Sequence, residues 1–159
     1  MRVVLYTHSL ISDWNHGNAH FLRGVLRELQ ARGHETLALG PLAPSATQAE
    51  MSRAAIFFSP ALYEPFGLAV LEAAACGCAL VLSDIPSFRE LWTNAALFVA
   101  PRDSNGFAAA INRLAEAPSE RRALGQRAAM RAREFTLARQ AEQVQQVYAA
   151  ALRAKALAA

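Results

Sequence analysis

The sequence predicts an α/β fold, with one mostly parallel sheet of about five strands and a helical C-terminal tail. Three observations predict it. Short apolar or β-branched runs recur at Arg2–Tyr6, Glu35–Leu39, Ala55–Ser59, Ala79–Ser83 and Ala96–Val99. Helical or turn-rich segments separate these runs, as parallel pairing requires. Beyond Pro101 no further strand-like run occurs, and the remaining chain reads as helices.

In order, Arg2–Tyr6 is a buried strand and Ser9 to Asn18 a polar loop. A helix from about Ala19 to Arg32 follows, with Phe21, Leu22, Val25, Leu26 and Leu29 on one face and Gly33 as its cap. This strand–loop–helix–strand unit closes with Glu35–Leu39 and is one turn of a parallel winding. Gly40-Pro41-Leu42-Ala43-Pro44 punctuates the chain, and Ser45 or Thr47 caps a short helix to about Arg53. After the Ala55–Ser59 strand, a helix is expected from Gly67 to near Cys76, with Gly77 as a left-handed cap. Asp84, with Pro86 in the first turn, opens a helical turn through Leu91. Helices follow at about Ser104 to Ala115 and Ser119 to Glu134. Thr136 then caps a last helix whose Leu137, Ala141, Val144, Tyr148 and Leu152 recur at helical spacing.

At 159 residues, with 53% hydrophobic and 18% charged residues, the chain is of a size and composition for one soluble globular domain. A net charge of +3 with scattered arginines argues against a nucleic-acid partner. Lys155 is the one lysine among sixteen basic residues. Cys76 and Cys78 flank a single glycine; a bridge across it would be strained, so both are expected as small buried thiols in a reducing compartment. Val3–Tyr6 is too short for a leader, and no run is long enough to span a membrane. These features point to the cytoplasm, with any membrane contact peripheral and made through a substrate.

The stretch from Ser59 to Asp84 carries the chemistry. Glu64 and Glu72 have seven residues between them. Pro65 pushes Glu64 toward extended backbone, and Glu72 is the one charge in a helix of apolar and small residues. Such a helix is expected to be buried, so Glu72 should need hydrogen-bond donors around it. The Phe66, Gly67 and Leu68 amides are expected to present free N–H groups to an anion such as a phosphate. Two carboxylates beside an anion site suit a sugar joined to a phosphate. For either glutamate alone, a rim position or an ion pair is the simpler reading.

This segment resembles the donor-binding region of retaining glycosyltransferases of the family-4, or group 1, kind, built from two facing Rossmann-like domains (the GT-B architecture). The resemblance covers roughly Gly40 to Leu152, with Glu-x7-Glu as its specific core. It implies that Glu64, as catalytic residue, holds donor-sugar hydroxyls, that Glu72 holds the nucleotide ribose, and that Pro65, Phe66, Gly67 and Leu68 line the donor site. The activity implied is transfer of a sugar, with retention, from a nucleotide-diphosphate sugar to an acceptor: a glycan, a lipid or a small molecule. The nucleotide sugar is a substrate, and no cofactor is implied.

Residues 1–40 resemble the opening of the acceptor-side domain and residues 41–159 the later donor-side domain, the two packed as one compact unit. His16, Gly17 and Asn18 would then face the acceptor, although a polar loop capping a helix explains them as well. His16 and His20 have a helical metal-binding spacing but no third ligand, and the chain holds no Asp-x-Asp, so no metal is expected. The Arg and Lys that the family brings from an early donor-domain loop have no counterpart here. Arg89, Arg23 or Arg53 could stand in, though Arg89 and Glu90 more simply cap a helix or pair. Two rival readings are a nucleotide-sugar-binding module without transfer and an interaction fragment that self-associates, as a homo-oligomer, through exposed apolar surface.

Overall fold

The structure, a computed structural model, describes residues 2–6, 17–33, 35–39 and 44–157. The elements run β1 (Arg2–Tyr6), α1 (Gly17–Ala31), β2 (Glu35–Leu39), α2 (Pro44–Arg53), β3 (Ile56–Ser59) and α3 (Leu68–Ala75). Then come β4 (Ala79–Ser83), α4 (Pro86–Trp92), β5 (Ala96–Val99), α5 (Ser104–Glu116), α6 (Pro118–Ala132) and α7 (Leu137–Leu157). The α/β class, the parallel pairing and the helical tail stand as the sequence predicts. The five strands are divided, however, into a β1–β2 pair and a β3–β4–β5 sheet. Both are parallel, in register Arg2↔Glu35 for the pair and Ile56↔Ala79 and Leu80↔Ala96 for the sheet.

Every residue of β4 is buried, so each of its faces needs a covering layer. Ala79 and Val81 point to one face, where they pack with Phe58, Phe107, Ile111 and Leu114. Leu80 and Leu82 point to the other, against Val70, Ala73, Phe88 and Trp92. The first unit joins this body through α1: Val25 and Leu29 are fully buried in the first cluster, and α1 lies along α5.

The turn after α3 is fixed by glycine. Gly77, at φ +80°, ends α3 with its N–H on the Ala74 carbonyl and the Cys78 N–H on that of Ala73, a paired cap that needs a left-handed residue. The Gly77 carbonyl in turn lies against Gly125 of α6, where an added Cβ would fall far inside van der Waals contact. Cys78 is buried behind this turn with its thiol on the Met51 and Ala54 carbonyls, and burial pushes its pKa up to about 11. Cys76 is half-buried, and both thiols are free.

At the carboxyl end of β4, Ile85 rather than Asp84 forms the cap position of α4, with Pro86 in its first turn. The Asp84 carboxylate is taken instead by Arg89, Nε to Oδ1 at 2.6 Å and Nη2 to Oδ2 at 2.7 Å. The guanidinium lies 4.2 Å from the centre of the Phe98 ring. That two-point bond holds the Asp84 carboxyl below its usual range, although the pair is solvent-exposed.

The family resemblance implies a last helix that crosses back to pack its apolar stripe against the first helix, and the structure departs from this. The α7 stripe does not pack on α1: residues 137–154 are exposed throughout, Leu137 at 85% and Tyr148 at 67%. On α1, Val25 and Leu29 are buried in the first cluster, beside α5.

Two predictions test this packing. Gly125→Ala must push α6 off the Gly77 carbonyl and should cost about 1–3 kcal/mol. Gly24→Ala in α1, whose Cβ would meet Ser104 at an ordinary 3.7 Å, should be neutral or stabilising in the same thermal melts. Asp84→Asn should melt slightly below the parent at pH 7. A carboxyl with a lowered folded pKa contributes stability above its unfolded pKa and loses it as pH falls through the folded value. The gap should therefore close below the usual carboxylate range, and narrow in high salt.

Candidate functional site

The loop between β3 and α3 folds back on itself. Pro65 lacks an N–H, and Gly67 takes a left-handed φ of +83° at the cap position of α3, where a side chain would also press on Phe88 and Val70 at 3.1 Å. This turn brings the Glu64 carboxylate over its own chain. Its Oε1 accepts the Gly67 N–H at 3.0 Å and, at a longer 3.4 Å, that of Phe66. The Ser87 hydroxyl of α4 donates to the Glu64 carbonyl at 2.5 Å, tying the loop to the carboxyl end of β4.

The expected anion cradle is therefore corrected. The Phe66 and Gly67 amides are not free, because Glu64 caps them. The first helical bond of α3 runs from Leu71 N–H to the Gly67 carbonyl, so the amides of Leu68 and Ala69 precede it and have no helical partner. Both residues are exposed. Glu64 is half-buried, and its Oε2 has no partner among the described residues.

Glu72 overturns a second expectation. It is exposed, not buried, on a face it shares with Leu68, Ala69 and Ala75. The opposite face, Val70, Ala73 and Ala74, is buried against α6 and β4. Composition alone suggested burial all round because the open face carries alanines and a leucine, and no layer covers it. The result is a small, apolar, accessible strip with one carboxylate in the middle and, at one end, the amides of the exposed Leu68 and Ala69, without a partner among the described residues.

The remaining sequence-chosen residues fall apart from this strip or outside it. Gly17 and Asn18 are the first residues of α1, not part of a loop, and His16 lies outside the described residues. Arg89 is committed to Asp84, Arg53 stands 3.8 Å from Glu50, and Glu90 is exposed. Among the described residues, no three of His, Cys, Asp and Glu gather as a metal site, and no helix is long and apolar enough to cross a membrane.

Sequence reasoning missed three contributors. Ser87 holds the Glu64 carbonyl, Phe135 packs its ring on Phe66, and Ser83 buries an unpartnered hydroxyl at the end of β4. Only Ser87 had a signal, its place after a strand end where open sheets bind ligands.

This geometry sits inside a recognisable family. Residues 28–131 match the family described as glycosyl transferases group 1. The chain is 39% identical over 132 residues to glycogen synthase of Mycobacterium tuberculosis, covering 78% of this chain and 32% of that protein. It is 37% identical over 67 residues to the O-antigen chain mannosyltransferase RfbU of Salmonella typhimurium, covering 42% of this chain and 19% of that one. Among solved structures it resembles the sucrose-phosphate synthase of Thermosynechococcus elongatus, with a TM-score of 0.74 and 26% identity over 95% of this chain and 38% of that one. The chain thus spans about a third of the length of these longer relatives. The matched region covers most of the chain and encloses the Glu64 loop, α3 and β4, and this chain belongs to the group 1 glycosyl transferases.

Proposed function

We propose that the chain binds a nucleotide-diphosphate sugar and takes part in its metal-independent, retaining transfer to an acceptor. The observation that carries this reading is the Glu64 loop: a carboxylate fixed by its own chain, with one oxygen left over, beside an open strip of α3. Glu64 Oε2 accepts donor-sugar hydroxyls, and Glu72 accepts the ribose hydroxyls. The Leu68 and Ala69 amides, with the positive end of α3, face the diphosphate as its charge grows in the transition state. The absence of Asp-x-Asp from the sequence supports metal independence. The protein works in the cytoplasm, reaching a membrane only through its acceptor, and its exposed α7 stripe favours self-association.

A specific observation favours a second reading, donor binding without transfer. Arg89 is held in a two-point bond by Asp84, so the cation nearest the strand end is not free for the leaving group. Helix amides alone supply about half a unit of charge.

Calorimetry with a panel of nucleoside diphosphates and their sugar conjugates tests both. Glu72→Gln should weaken both ligand types by about 1–3 kcal/mol. Glu64→Ala should weaken the conjugates more than the bare diphosphates. Unchanged affinities in both variants would remove these glutamates from the site. Labelled donor then separates the readings: chelator-resistant transfer supports the first, and binding without sugar release supports the second.

A further inference from the structure

We propose that Phe135, in the turn between α6 and α7, is a positioning residue for the Glu64 loop. The inference rests on the reading of Glu64 as a donor contact.

The loop is anchored at few points. Its backbone is tied at Glu64 by Ser87 and closed by the Glu64 carboxylate. Leu62 and Tyr63 of the loop are exposed, whereas Phe66 is half-buried and meets Phe135 edge to face, ring centres 5.8 Å apart at 80°. Phe66 thus joins two contacts in one residue: its N–H donates to Glu64 Oε1 while its ring rests on Phe135. A shift of the ring moves the amide that orients the carboxylate.

Phe135 is itself well held. Its ring lies 6.0 Å from that of Trp92, the buried last residue of α4, and the Arg131 guanidinium covers it at 5.0 Å. Its N–H bonds the Ala132 carbonyl at the end of α6. The next residue, Thr136, caps α7 by accepting the Arg139 N–H. The support of the loop is therefore the root of the long exposed helix, some seventy residues away in sequence but in ring contact in space. The ring serves three neighbours, Trp92, Arg131 and Phe66, and an aliphatic side chain would fill the gap but offer no ring edge or face to Phe66.

The test is amide hydrogen exchange on the full chain, read beside calorimetry with nucleoside diphosphates and their sugar conjugates. Phe135→Ala and Phe135→Leu should speed exchange at the Phe66 and Gly67 amides while leaving β4 amides protected. Both should weaken sugar conjugates about two- to tenfold relative to bare diphosphates, the fold-change matching one aromatic pair. Phe135→Tyr, which keeps the ring, should restore both readouts. Parent-rate exchange at Phe66 and Gly67 in the leucine variant overturns the proposal. So does loss of protection spread equally over β4, since that would mark a merely structural residue. If exchange responds as expected but the parent chain binds no nucleotide sugar, the donor reading fails while the placement of the loop by Phe135 stands.

Discussion

A strand buried on both faces is the constraint on which the rest of this chain depends. β3, β4 and β5 are laid down in order and in one direction, so right-handed crossovers put α3 and α4 on the same side. Ala79 and Val81 on the other side still need cover, and no crossover within the sheet provides it. α5, which follows the last strand, and Leu124 of α6 supply cover, and Val25 and Leu29 of α1, from well before the first strand, complete the cluster alongside α5. This accounts for the full burial of Val25 and Leu29, although their own strands, β1 and β2, make a separate sheet.

The same one-sided winding leaves the outer face of α3 open. A helix of alanines, a valine and two leucines reads as a core helix, yet half of its surface is accessible because it is the outermost layer on its side. Small side chains on that face let a ligand approach the backbone closely, and Glu72 is the polar group it meets. Within the adjoining loop, Glu64 and an incoming anion are competitors: both seek the Gly67 N–H, and the carboxylate holds it from three residues away. On the proposed donor-binding reading, hydroxyls are therefore expected at Glu64 and an anion toward Leu68 rather than on Gly67.

Much of the fold was legible because it rests on local chemistry. Strand and helix positions follow from apolar runs and from Pro and Gly punctuation, and Gly77 and Thr136 cap where their types predict. The partition of strands between two sheets was not legible, since each strand has the same composition whichever neighbour it takes. The burial of Glu72 was misjudged for a related reason: periodicity reports which residues share a face, not whether another layer lies beyond it. Glu64 stood out in the sequence by its Pro-flanked loop, but not in its capping role, which needs the left-handed Gly67 to bend the chain back. Phe135 carried no signal, because its partner is distant in sequence and only the packing of α6 beside α3 brings them together.

The excess of arginine over lysine has a structural cause. A guanidinium fork can grip two acceptors or reach a carbonyl at a fixed angle, which an ammonium on a flexible stem does less well. Arg121 bonds the Leu114 and Ala115 carbonyls that α5 leaves open at its end, Arg131 bonds that of Leu91 in the last turn of α4, and Arg127 that of Asn94 just beyond it. Arg113 pairs with Glu120 and Arg89 with Asp84. Freeing Arg121 or Arg131 for a substrate would strip a carbonyl of its donor, a cost that a solvated lysine would not carry. Positive potential at the open face of α3 therefore comes first from backbone amides, whose direction is set by the helix and whose charge does not move.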